Sequence, residues 1–329
     1  MNNTDCCTPL AIRPYEALCL ICSMGEGGPQ DGRLKEILEA VRDYPDRPVA
    51  LRCNAGDVYV YQDPGTAEDT PESPEFNRKR DLDILAKLDL APGSILPART
   101  LLMCVLKVIP SLDGICGYDT VTADAWRGCP KAKGDCYQKG VAKGIDAIIP
   151  PRTKDEMVKA KADSLKAMVA ADAITSRPHI LLCAVCQYGR GTRPPFEPDN
   201  LPEMIQHILK HPDTPIRLAE AADWMMCAPC PSRVDALNAC VNVLGSGGLS
   251  NQKRDLDMLQ ILGLRYGSAM PAAELYRLIF DKIPSTQPIC GRDNACPSVW
   301  WDGCGENNRE HGNANYAKGR EMLMKEFGF

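Results

Sequence analysis

Cys227-Ala228-Pro229-Cys230-Pro231, with Cys240 following, is the stretch of this chain best equipped for chemistry. Two cysteines three residues apart on a turn can aim both sulfurs at one point, and the proline after the second stops the backbone from closing over them. Thiolates so placed hold a soft metal ion or an iron-sulfur cluster. Cys183 and Cys186 upstream, and Cys290, Cys296 and Cys304 downstream, read together with them.

The chain carries 17 cysteines in 329 residues. The count is odd, the chain is long, and the start (MNNTDCCTPLAIRPYEALCLICSMG) shows neither a basic n-region nor a small-residue cleavage site. That pattern predicts a cytoplasmic protein, and in a reducing compartment such cysteines point to metal, cluster or redox chemistry rather than disulfides. No run approaches the roughly 18 apolar residues of a membrane span. With a net charge of -5, nothing would neutralise a run of phosphates. The expected partners are therefore a redox partner protein or a small molecule, with neither nucleic acid nor membrane.

The elements that must position these thiols occur twice. Ile12-Arg13-Pro14 leads into Ala17-Leu18-Cys19-Leu20-Ile21-Cys22 and Gly25-Glu26-Gly27-Gly28, and Ser176-Arg177-Pro178 leads into Leu181-Leu182-Cys183-Ala184-Val185-Cys186 and Gly189-Arg190-Gly191. A helix with apolar residues at Leu34, Ile37, Leu38 and Val41, or Leu201, Met204, Ile205 and Ile208, then ends at a Pro-Asp-x-Pro turn and runs into a strand, 49–52 or 216–219. The strongest match is NRKRDLDILAKLDL from Asn77 against NQKRDLDMLQILGL from Asn251. Its leucines, Leu82, Leu85 and Leu88 or Leu256, Leu259 and Leu262, predict one apolar helical face, with the Arg-Asp pair in the first turn. A further helix opens at Pro97 or Pro271, and then come Ile115-Cys116-Gly117 and Ile289-Cys290-Gly291, Gly128-Cys129 and Gly303-Cys304, and Lys143-Gly144 and Lys318-Gly319.

The expected architecture is mainly α with short β segments (α+β), a tandem duplication of a cysteine-rich helical domain. Its parts are a degenerate first repeat over 10–150, a connecting helix over 151–174 and a second repeat over 175–325. Thr153 and Glu156 read as a capping box that starts the connecting helix. Loops are expected to carry most cysteines.

Laying one copy on the other pairs Cys19 with Cys183, Cys22 with Cys186, Cys116 with Cys290 and Cys129 with Cys304. Cys136 is set opposite His311, another ligand type. Cys227, Cys230, Cys240 and Cys296 have no counterpart in the first copy. Two partitions follow: a shared four-cysteine site per copy plus a further site in the second, or Cys183 joined to Cys227, Cys230 and Cys240. Four thiolates also suit zinc, but zinc ribbons use two close pairs, whereas these ligands are scattered. A cluster, 4Fe-4S and one or two in number, is the expected cofactor, with zinc the alternative. Trp224, Trp300 and Trp301 would keep water from it.

The run RPHILLC with Gly-x-Gly after it, PDTPIRL, Cys-x-x-Cys-Pro with a further cysteine, RDLDMLQILGL and the closing Ile-Cys and Gly-Cys resemble a prokaryotic family of short cysteine-rich domains of unknown function, regarded as iron-sulfur binding. The resemblance covers most of 176–320 and extends more weakly to the first copy. It departs by the duplication, by His179 standing alone where a paired histidine is usual, and by loss of Cys-x-x-Cys-Pro in the first copy. It implies a cluster and no reaction.

His179, four residues before Cys183, is a weaker ligand candidate or a structural group, and His311 is a second weak candidate. The glycines after Cys22 and Cys186 match no nucleotide fingerprint and read as helix-ending turns. Cys53 and Cys104 read as buried thiols, and the adjacent Cys6 and Cys7 as a loosely held pair near the terminus. The expectation is an iron-sulfur protein serving electron transfer or as a redox accessory, with Cys183, Cys227, Cys230 and Cys240 foremost among its ligands. A structural zinc module and a cluster- or thiol-dependent enzyme of sulfur or redox metabolism are the alternatives.

Overall fold

The structure, a computed structural model, describes residues 8–53, 73–220, 222–234, 239–240, 247–291, 304 and 310–329. Cys6, Cys7, Cys296, Trp300 and Trp301 lie outside the described residues. The chain splits into two compact units, Met1–Pro150 and Pro151–Phe329. Among the described residues no helix is long and apolar enough to cross a membrane.

In the first unit, β1 (Leu10–Ile12) leads into α1 (Pro14–Gly25), followed by α2 (Gly32–Asp43), β2 (Pro48–Leu51), α3 (Pro74–Leu88), β3 (Ile95–Pro97), α4 (Ala98–Val108) and α5 (Cys136–Lys143). The second unit begins with α6 (Lys154–Ala170) and continues through β4 (Ile174–Ser176), α7 (Pro178–Arg190), α8 (Leu201–Lys210), β5 (Pro215–Leu218), the short pair β6 (Arg233–Val234) and β7 (Ala239–Cys240), α9 (Gly247–Leu262), β8 (Ala269–Pro271), α10 (Ala272–Lys282), α11 (Gln287–Cys290) and α12 (Ala314–Phe327). Helices dominate and the strands are short, so the fold is mainly α within α+β.

Each unit has one three-stranded sheet of the same kind. β1 runs parallel to β2 and β2 antiparallel to β3, with Leu10 opposite Val49 and Val49 opposite Leu96. β4, β5 and β8 repeat this order and these directions, with Ile174 opposite Ile216 and Ile216 opposite Met270.

α1 and α7 are the central helices. Proline at the first helical position lacks only an N–H that would have no helical partner there. Leu18, Leu20 and Ile21, or Leu181, Leu182 and Val185, are buried, so the flanking elements pack around these helices. The C-terminal helix of each unit crosses the central one at a pair of glycines. A Cβ on Gly25 would run into the Cys136 carbonyl oxygen and one on Gly140 into that of Ile21. Gly189 and Gly319 stand in the same way against Asn315 and Val185. Only glycine permits so close an approach of two helix backbones.

Three expectations are corrected by packing. α3 and α9 start earlier than the Arg-Asp pair, which therefore lies within the helix; Asn77, Arg80, Asp81, Ile84 and Leu85 form the buried face, while Leu82 and Leu256 are exposed. The capping box holds as expected, Glu156 N–H donating to Thr153 Oγ1 at 3.2 Å and Thr153 N–H to Glu156 Oε2 at 2.8 Å. The helix it starts is no mere connector. Lys161 pairs with Glu203 of α8 at 2.7 Å, Ser164 accepts from Asn200 at 2.7 Å, and Met168 enters the core of the second unit. Finally, helices carry Cys19, Cys22, Cys104, Cys136, Cys183, Cys186 and Cys290, so the thiols are shared between helices and loops.

Candidate metal centres

Cys19 and Cys22 lie one turn apart on α1, which presents both to the same side. Two loop thiols join them. The Cys129 N–H donates to the Cys116 carbonyl at 2.8 Å, and the Cys304 N–H donates to that of Cys290 at 3.0 Å, so the same backbone bond closes the loop in each unit. Burial, opposed by Arg80 and aided by Cys116 and Cys129, pushes the Cys19 thiol up to about 12. Cys183 is raised by burial and by Cys186, Cys290 and Cys304, with Arg254 opposing. Each unit thus gathers a matched set, Cys19, Cys22, Cys116 and Cys129 or Cys183, Cys186, Cys290 and Cys304. A guanidinium lies near the first member of each.

Cys22 and Cys116 are buried, Cys19, Cys129, Cys183, Cys186 and Cys290 half-buried, and Cys304 exposed; neighbouring thiols resist ionising together, because each thiolate repels the others. A cationic metal or cluster core removes that obstacle.

Cys227, Cys230 and Cys240 form a separate group. A turn closes with the Cys230 N–H on the Cys227 carbonyl at 2.9 Å, and Arg152 grips the loop through the carbonyls of Ala228 at 2.7 Å and Cys230 at 2.9 Å. Asp223 accepts from the N–H groups of Met225 and Met226, both at 2.9 Å, and from Thr175 Oγ1 at 2.9 Å. The pairing of β6 with β7 sets Cys240 opposite Arg233. The Cys227 thiol is pushed up by burial, then by Asp223, Cys230 and Cys240. Cys186, Cys290 and Cys304 act on Cys183, whereas Cys230 and Cys240 act on Cys227.

The pairing of Cys136 with His311 is a correction. Gly140 matches Gly319 at the helix crossing, and the hydroxyls of Tyr137 and Tyr316 donate to the carbonyls of Ile109 at 2.8 Å and Ile283 at 2.7 Å. Counting back, Cys136 stands opposite Asn315, and Lys143-Gly144 is not the counterpart of Lys318-Gly319. His311 is exposed. His179 is buried and committed elsewhere, its Nδ1 lying 2.6 Å from Asp255 Oδ1. Trp224 is 44% exposed and shields little. Cys53 is fully buried, and Cys104 is half-buried on α4.

The network behind the thiols escaped the sequence reading. Asp81 accepts from Arg13 Nε at 2.6 Å and from the Tyr15 N–H at 3.0 Å; Asp255 accepts from Arg177 Nε at 2.8 Å and from the His179 N–H at 3.0 Å. Arg80 donates to Asn77 Oδ1, and Arg254 to Asn251 Oδ1 at 2.7 Å. The signal was present in the retained polar residues Asn77, Arg80, Asp81 and Asn251, Arg254, Asp255, spaced like a buried helical stripe. In the second unit, Asn251 also donates to Cys240 Sγ at 3.9 Å, and Cys227 and Cys240 act on Arg177. One network therefore stands between the two thiol groups of that unit.

Among the described residues no three His, Cys, Asp or Glu side chains converge as the ligands of a metal ion would. With Zn–S near 2.3 Å, tetrahedral zinc would hold its sulfurs roughly 3.8 Å apart. A cluster distributes its cysteines over separate iron atoms and accepts a wider set. No family model matches the chain, and neither the curated proteins nor the solved structures contain a match to it.

Proposed function

We propose that this chain is an iron-sulfur protein that moves electrons or assists redox chemistry, with one 4Fe-4S cluster on Cys19, Cys22, Cys116 and Cys129 and another on Cys183, Cys186, Cys290 and Cys304. The observation that carries the reading is the recurrence of the same four thiols, at the same places of two similar folds, each set beside an arginine, Arg80 buried and Arg254 half-buried. When bound, the cluster supplies one-electron chemistry. The residues of the chain exclude water through the packed central helix, and Arg80 or Arg254 places positive charge beside the first cysteine, an influence that raises a reduction potential.

Iron, zinc and acid-labile sulfide should be measured, with an absorption spectrum, on protein purified without oxygen. About four iron and four sulfide per occupied set is expected. Cys183→Ala should remove one set's worth and leave the first unit loaded. Zinc without sulfide, or no metal at all, would overturn the proposal.

A further inference from the structure

Beside its four paired thiols the first unit holds Cys136 at a position where the second has no thiol. Cys136 opens α5 and stands where the second unit has Asn315. The glycine crossing presses the Cys136 backbone against Gly25, and Cys22 lies three residues before Gly25 on the same face of α1. Burial pushes the Cys22 thiol up, and after burial the largest influence on it is Cys136, which raises it further. Cys136 Sγ donates to the Lys131 carbonyl at 3.7 Å. Beside Cys136, Lys131 pairs with Glu26 at 2.6 Å and Lys139 with Asp135 at 2.9 Å. Cys22 and Cys136 are both buried, at 7% and 6% exposure, so only a small molecule could reach them without unfolding.

We propose that Cys22 and Cys136 form a redox-active dithiol site whose substrate is a small hydroperoxide such as hydrogen peroxide. The sulfur of Cys136 attacks one peroxide oxygen, the O–O bond breaks, and a sulfenic acid and one water form. The Cys22 sulfur then attacks the sulfenic sulfur and displaces the second water, which carries away the remaining thiol proton. Two electrons pass from the sulfurs to the peroxide, and an S–S bond forms. The disulfide depends only on the two thiols; its consequence rests on the cluster reading, since oxidation withdraws Cys22 from the four-thiol set of the first unit.

The test is made on the full chain, with iron content measured before oxidant is added. Hydrogen peroxide treatment, alkylation and peptide mass spectrometry should find the Cys22 peptide linked to the Cys136 peptide. Cys136→Asn, which installs the residue that the second unit carries there, should lose that species, as should Cys136→Ser. A linked Cys22–Cys136 peptide in protein without iron supports the site and removes only its consequence for a cluster. Cys22 joined to Cys19 with Cys136 still alkylated, or both thiols alkylated singly after peroxide, would overturn the proposal.

Discussion

Asp81 and Asp255 occupy one structural position in two units, yet their surroundings push them in opposite directions. Burial raises the Asp81 carboxyl to about 6 despite Arg13 beside it. Burial also acts on Asp255, but His179 and Arg177 overcome it and hold that carboxyl below its usual range. The residue that differs is the second after the arginine: Tyr15 offers Asp81 one backbone N–H, whereas His179 offers Asp255 a backbone N–H and a ring nitrogen. A buried charge is tolerated according to the number and sign of its partners, so one substitution in a shared scaffold changes the state of the group behind the thiols.

The largest effect should come from removing the acid. Asp255→Ala leaves Arg177 buried without its carboxylate, and Asp81→Ala does the same to Arg13; each should cost about 3–5 kcal/mol. Urea unfolding followed by hydrogen exchange in α9 and α3 peptides would measure the two losses. A cost below 1 kcal/mol in either unit would remove the network from the account of stability.

Acid should separate the units next. Asp81 binds its proton more tightly in the fold than in the unfolded chain, whose value is near 3.8. Its contribution is complete below about pH 4 and is lost as pH rises through about 6, a change of about 3 kcal/mol at 1.36 kcal/mol per unit. His179, lowered by burial from 6.5, works in the other direction: its contribution is present above pH 6.5 and is lost as pH falls through its folded value. Asp255, also lowered, adds a loss below 3.8. Between pH 6.5 and 4 the first unit should gain stability while the second loses it. Parallel pH profiles in the two units would break the comparison, and Tyr15→His should turn the first profile toward the second.

Gly140→Ala and Gly319→Ala place a methyl group against the carbonyls of Ile21 and Val185, and each should cost about 1–3 kcal/mol by thermal unfolding. Gly140→Ala should in addition weaken peroxide-dependent linkage of Cys22 to Cys136, a readout with no counterpart in the second unit. The smallest effect belongs to Asn251→Ala, about 1 kcal/mol. It should disturb Cys240 and Arg254, while Asn77→Ala removes the bond to Arg80.

The repeated elements were legible because their signals are local. Proline starts α1 and α7, helical spacing marks α2 and α8, and the turn after each leads into a strand of the expected place and length. The four paired cysteines were legible for the same reason, since repetition at a nearly constant offset needs no tertiary knowledge. Leu82 and Leu256 are exposed although their hydrophobicity places them on the apolar face. In α3 and α9 the buried face includes Asn, Arg and Asp, which the interior tolerates because Arg13 or Arg177 arrives from another element to pair with the acid.

By itself the sequence determined the mainly helical fold with short strands, the repetition of its elements and the four thiols common to both copies. Each depends on residue type and short-range spacing. Only the tertiary structure decided which thiols are neighbours, that Cys136 answers to Asn315, and that Asp81 and Asp255 anchor the network behind the sites. Those facts turn on helices crossing at glycines and on side chains more than sixty residues apart meeting where water is excluded. Contacts of that kind are set by packing, and no periodicity along the chain records them.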